Sequence, residues 1–113
     1  EVYDVHAVAG LLKLYLRELP HPVVTYARQR DFLHLTDLQD RAQRIHQLAS
    51  LLRMLPLPNY TLLRALISHL VRVVQNAEKT RMTVRNMGIV FSPTLGIPAG
   101  VVTLMMAEFA IVF

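Results

Sequence analysis

The chain has 113 residues, of which 53% are apolar and 18% charged. That is the size of one small domain or a large piece of one. The charged share lies below the roughly one quarter usual for a soluble domain, so some apolar surface is expected to meet chain that lies elsewhere. The absence of cysteine excludes a disulfide frame and a thiolate zinc site. The sequence starts at Glu1 without an initiator Met, as expected of a piece cut from a longer protein, and shows no basic-then-apolar leader pattern.

The net charge of +4 is unevenly placed. Residues 1–40 hold four basic and six acidic side chains, whereas eight basic residues between Arg41 and Arg85 face the single acid Glu78. From residue 86 onward the only charge is Glu108. Such an asymmetry suits an acidic partner, whether protein, phosphate or lipid headgroup.

All six prolines come in pairs (Pro20 and Pro22, Pro56 and Pro58, Pro93 and Pro98) that divide the chain into four apolar-rich blocks. In the first block Val5, Val8, Ala9, Leu12, Leu16 and Leu19 recur at helical steps, with Asp4 placed to cap and Pro20 to stop the helix. The second block predicts a short segment over Tyr26–Leu35. A longer helix follows from near Thr36 or Asp37, with Leu38, Ile45, Leu48, Ala49 and Leu52 as its core face. In the third, Asn59 can cap a helix to about Asn76 that is apolar on most of its circumference. This predicts the central helix of a bundle. Only Arg64, Ser68, Arg72 and Gln75 form a polar stripe there. After a polar 75–81 link, a short helix is expected over Met82–Phe91. A last one follows over Pro98–Phe113, where proline suits the first turn. The run Asn86–Ala107 is uncharged and long enough for a bilayer, but two prolines and three glycines predict two short helices around a loop instead.

Three positions carry an interaction signal. Lys13 and Arg17 stand four apart on one helix face and repel each other by a few tenths of a kcal/mol, a local cost that suits either a binding surface or two solvated side chains. Asn86 opens a strongly apolar run, as a helix-terminal residue or as a group that positions a ligand. Arg64 and Arg72 admit the same two readings, a binding surface or a solvent-facing edge, and the edge is favoured. The five histidines lack ligand spacing, so no metal site is expected, and neither a nucleophile elbow nor a glycine-rich phosphate loop is present. The basic residues are not interleaved with aromatics, so no nucleic-acid partner is expected despite a pI near 10.0.

The motifs themselves are recognisable. Asp4-Val5-His6 with Ala9, Leu12-Lys13, Leu16-Arg17-Glu18-Leu19-Pro20 and Pro22 closely resembles the D-x-H-x-x-A-x-x-L-K-x-x-L-R-E-L-P-x-P pattern of RhoGAP domains. Leu55-Pro56 with Asn59 and Leu63 resembles a second motif. Met82, Asn86, Phe91, Pro93 and Leu95 resemble the third, K-M-x-x-x-N-L-A-x-x-F-x-P-x-L. All three stand in family order and cover nearly the whole chain.

The resemblance implies a partial RhoGAP domain over residues 1–113: an all-α, non-repeat bundle of about five to six helices, truncated at its N-terminus. It implies a GTPase activator, without substrate turnover or cofactor of its own. The partner would be a Rho-family small GTPase in its GTP-bound form, met at its switch regions. Lys13, Arg17 and Asn86 are then the GTPase-binding residues, with Arg17 also bracing the arginine loop. The family's catalytic arginine lies in a glycine-containing loop some tens of residues before the D-x-H motif. Only Glu1, Val2 and Tyr3 precede that motif here, so none of the ten arginines is nominated as catalytic. Thr80-Arg81-Met82 replaces the common Asn-Lys-Met, and His21 replaces a frequent acid. The expected place of action is the cytoplasm, with recruitment to the inner face of the plasma membrane left to other parts of the parent protein. The alternative is a RhoGAP-like module that binds a GTPase or an acidic surface without activating hydrolysis.

Overall fold

A computed structural model describes residues 10–11, 13–20, 22–75 and 83–113. Its elements are α1 (helical over 13–18), α2 (Tyr26–His34), a 3-10 turn (Leu35–Asp37), α3 (Arg41–Arg53), α4 (Leu57–Val74), α5 (Val84–Leu95), α6 (Ala99–Ala107) and α7 (Phe109–Val112). No strand occurs among the described residues, so the expected all-α, non-repeat architecture is the one that forms. Asp4, Val5, Val8, Ala9, Leu12, His21 and the 76–82 link lie outside the described residues.

Several boundaries differ from the sequence reading, each for a local reason. Helix α3 begins at Arg41 and not near Thr36, because the 3-10 turn occupies Leu35–Asp37 and the Asp40 side chain accepts the Ala42 N–H as the actual cap. Helix α4 begins at Leu57 with Pro58 in its first turn, where the missing proline N–H costs nothing. Asn59 therefore lies inside the helix and does not cap it. Its Nδ2 donates to the Val23 carbonyl at 3.0 Å and ties α4 to the turn before α2.

Helix α5 runs through Pro93 to Leu95 and does not stop at Phe91. Pro93 cannot donate to the Ile89 carbonyl, but neither residue is buried and Ile89 is exposed, so water can satisfy the freed oxygen. The helix ends at Gly96, whose φ of 70° is the left-handed conformation that glycine adopts without steric cost. Ser92 stitches this end. Its carbonyl accepts from the Gly96 and Ile97 N–H groups, and its hydroxyl donates to the Ile97 carbonyl at 2.5 Å. The break at 96–98 turns the long uncharged run into a helical hairpin, and no helix among the described residues is long and apolar enough to cross a membrane.

The last apolar block was expected as one helix and forms two, divided at Glu108, whose φ of −114° and ψ of 29° leave the helical region. Glu108 accepts from Arg41 Nη2 at 2.8 Å, drawing the hinge toward the start of α3. This division brings the α-helices among the described residues to seven. The most enclosed helix is α6, not the third-block helix α4: Val101, Val102, Leu104, Met105 and Met106 are all buried. Each such side chain contributes roughly 1.5–3 kcal/mol over its exposed state. Helix α4 supplies Leu63, Leu66, Ile67, Leu70 and Val73 to the same core, and α3 supplies Leu48, Ala49, Leu51 and Leu52.

The α5–α6 contact is close at Gly88, where an added Cβ would stand 2.7 Å from Thr103 Cγ2 and 3.0 Å from the Ala99 carbonyl oxygen. Gly88→Ala is expected to destabilise the fold by about 1–3 kcal/mol through this overlap. Adding Thr103→Ser, which removes the facing methyl, should recover part of the loss. A denaturant-unfolding double-mutant cycle reads the coupling, and strict additivity would refute the contact.

Candidate functional site

Helix α1 has three distinct sides. Leu16 is buried and Leu19 half-buried on the core side. Lys13, half-buried, and Arg17, exposed, stand one turn apart on a second side. Leu11, Leu14 and Tyr15 lie away from the core and are 67%, 56% and 55% exposed. A helix apolar on two sides with a basic strip between them is not built for solvent alone.

Arg17 lines an open groove of about 320 Å³ between α1, the start of α2 and the far end of α5. Its other polar walls are Tyr26, Gln29 and Thr94, closed by Pro22 and Pro93. Gln29 Nε2 donates to the Gly96 carbonyl at 3.0 Å, so the side chain of α2 holds the end of α5 against the groove. An added Cβ at Gly96 would collide with that Gln29 Nε2.

Asn86 stands in the first turn of α5, exposed, and its backbone N–H donates to the Oγ1 of the capping Thr83 at 3.2 Å. The cap itself is therefore Thr83, and the Asn86 side chain is not what starts the helix. Asn86 and Pro93 stand seven positions apart, two helical turns or ~10 Å along the axis, so both lie on one side of α5. Pro93 borders the groove that Arg17 lines. The fold thus gathers Arg17 and the Asn86–Pro93 side of α5 along one surface, with Lys13 on the strip beside it.

Arg64 and Arg72 answer to structure. The Arg64 guanidinium lies over the Phe109 ring, 5.4 Å from its centre, in a cluster with Phe113 and Tyr60. Arg72 donates to Ser68 Oγ one turn away at 3.2 Å. Sequence reasoning did not single out Tyr26, Gln29 or Thr94. The glycine at position 96 after an apolar run was the available signal for the helix end, but nothing in the sequence paired it with Gln29. Among the described residues, no three histidine or acidic side chains converge to hold a metal ion.

The model of the RhoGAP domain family matches residues 1–99. The chain belongs to the RhoGAP family. Mouse Rho GTPase-activating protein 27 is 49% identical over 92 residues, covering 81% of this chain and 11% of that protein. The probable Rho-type GTPase-activating protein 2 of Schizosaccharomyces pombe is 35% identical over all 113 residues, 9% of its own length. Among solved structures, human Rho GTPase activating protein 15 superposes with a TM-score of 0.88 at 31% identity, over 98% of this chain and 59% of that one. The BH domain of GRAF, a GTPase regulator associated with focal adhesion kinase, gives 0.86 at 34% identity, over 90% of this chain and 62% of that one. This RhoGAP chain therefore spans about a tenth of the curated relatives' length and three fifths of the solved RhoGAP chains.

Gly96→Ala tests the groove's frame. It places a Cβ at positive φ and against Gln29, so a loss of about 1–2 kcal/mol is expected in thermal or urea unfolding. An unchanged midpoint would mean that this helix end is not held as described.

Proposed function

We propose that the chain is the docking platform of a GTPase-activating domain for Rho-family small GTPases, binding the GTP-bound form at its switch regions. The observation that carries this reading is the basic Lys13/Arg17 strip beside the Asn86–Pro93 side of α5, on a RhoGAP fold. Lys13 and Arg17 supply positive charge that steers and holds an acidic GTPase surface. Asn86 supplies an amide able both to donate and to accept at the interface. Activation of hydrolysis needs a cation beside the γ-phosphate, where an arginine given in trans is worth roughly 10³–10⁵ in rate. In this reading the arginine belongs to a loop upstream of residue 1, braced by Arg17, and residues 1–113 are a partial domain. The outward apolar side of α1 supports that view, since Leu11, Leu14 and Tyr15 lie more than half exposed and suit cover by further chain. The protein acts in the cytoplasm, and any recruitment to the plasma membrane rests with other parts of the parent.

A second reading keeps the docking and drops the activation. It is favoured by the departures from the family's motifs, Thr80-Arg81-Met82 in place of Asn-Lys-Met and His21 in place of an acid, which change polar groups while Lys13 and Arg17 keep the residues of the motif.

Combined charge reversal, Lys13→Glu with Arg17→Glu, tests the docking in the parent protein. Affinity for a GTP-loaded Rho-type GTPase should fall at least tenfold, while the thermal midpoint moves little, because Arg17 is exposed and Lys13 keeps part of its side chain in solvent. Binding that is unchanged at low salt would refute the interface. The isolated 113-residue chain should give little or no acceleration of GTP hydrolysis, and a substantial acceleration would refute the need for an upstream arginine.

A further inference from the structure

A second concavity of about 340 Å³ lies on a different part of the molecule, between the 3-10 turn, the start of α3 and helix α6. It shares no lining residue with the groove beside Arg17, though Val84 brings it to the first turn of α5, which also carries Asn86. Its size falls at the lower end of small-molecule sites, ~300–1,000 Å³. The floor is aliphatic, built from Leu35, Val84, Val101 and Leu104, while Arg41 and Arg44 stand at the wall.

The two arginines differ in state. Arg41 is engaged by Glu108 at 2.8 Å. Arg44 is half-buried, and its Nη1 donates to the Leu38 carbonyl at 3.0 Å. That bond fixes the guanidinium plane and leaves its Nε and Nη2 donors for a guest. Asp37 and Asp40 are near in sequence but neither lines the cavity, and Asp40 is occupied in capping α3. Arg41 and Arg44 are the only charged side chains in the lining, and no acid stands among them. An anionic head would meet guanidinium donors there and no lining carboxylate to repel it.

Gly100 supplies a second, independent observation. It lines the cavity from the first turn of α6, and nothing lies within 4 Å of where its Cβ would stand. Neither a positive φ nor a close neighbour requires glycine there, unlike Gly96 and Gly88. A larger side chain at this rim position would therefore meet no neighbouring atom at its Cβ.

We propose that this cavity binds a small amphiphilic anion, its carboxylate or phosphate head on Arg44 and Arg41 and its short aliphatic body on the Leu35–Val101–Leu104 floor. Bare phosphate would leave the aliphatic floor in water. A neutral alkyl chain would leave the Arg44 donors without a partner. A nucleotide base would find no aromatic ring among the lining residues on which to stack.

The test is a nuclear magnetic resonance titration of the protein with octanoate and with octyl phosphate, each below its micelle-forming concentration, against octanol and inorganic phosphate. At least one of the two anions should shift the Gly100, Val101 and Thr103 amides saturably, at least tenfold more tightly than either control. Binding of octyl phosphate alone would assign a phosphate head, and binding of octanoate as well would admit fatty carboxylates. Arg44→Gln should weaken binding at least tenfold. Gly100→Leu should abolish it while keeping the thermal midpoint, since the new side chain enters open space. The proposal is overturned if neither anion binds, if octanol binds as tightly as they do, or if both variants bind like the parent.

Discussion

Helix α6 has no charged side chain and buries five large aliphatic residues and methionines, so it must be enclosed on nearly every side. That enclosure depends on α5 lying directly against it, and α5 can do so only because Gly88 presents no Cβ to Thr103 and Ala99. The turn between them follows from the same need. Gly96 takes a left-handed conformation, Ser92 binds both ends of the turn, and Pro98 restarts the chain at the head of α6. Helices α3 and α4 complete the enclosure with their own aliphatic faces.

This packing also sets the functional surface. With the inner side of α5 committed to α6, its outer side must carry Asn86, Ile89 and Pro93 toward the exterior. The Gln29–Gly96 hydrogen bond then fixes the end of that helix beside α1 and Arg17. The surface proposed to meet a partner is thereby positioned by the core packing of α5. On another part of the molecule, the Arg41–Glu108 pair draws the α6–α7 hinge toward α3 and frames the second cavity. Arg41 is largely exposed, so the pair contributes little to stability and more to geometry.

Most of the fold was legible because helical periodicity is strong in this chain. The buried set of α4, Leu63, Leu66, Ile67, Leu70 and Val73, is what three- and four-residue steps select. The misreadings cluster at prolines and caps. Pro93 looked like a terminator but sits on an outer helix side where its lost hydrogen bond faces water. Asn59 looked like a cap but is spent on the Val23 carbonyl. In both cases a residue with two admissible local roles was assigned its role by the tertiary surroundings. The same holds for the site: Lys13 and Arg17 could be paired by spacing alone, while Tyr26, Gln29 and Thr94 join Arg17 only when α2 and α5 are brought to α1.

By itself the sequence determined that this chain is all-helical, where its apolar faces run, that its positive charge is concentrated, and, through three ordered motifs, that it is a RhoGAP chain. These are matters of spacing and residue type within one element or one motif. The tertiary structure alone decided which helix is innermost, where the last block breaks, that Arg64 rests on Phe109 and that Arg44 faces a cavity floored by α6. Those outcomes depend on which faces meet, and the meeting is set by core enclosure and by single close approaches such as that at Gly88, which no one-dimensional pattern records.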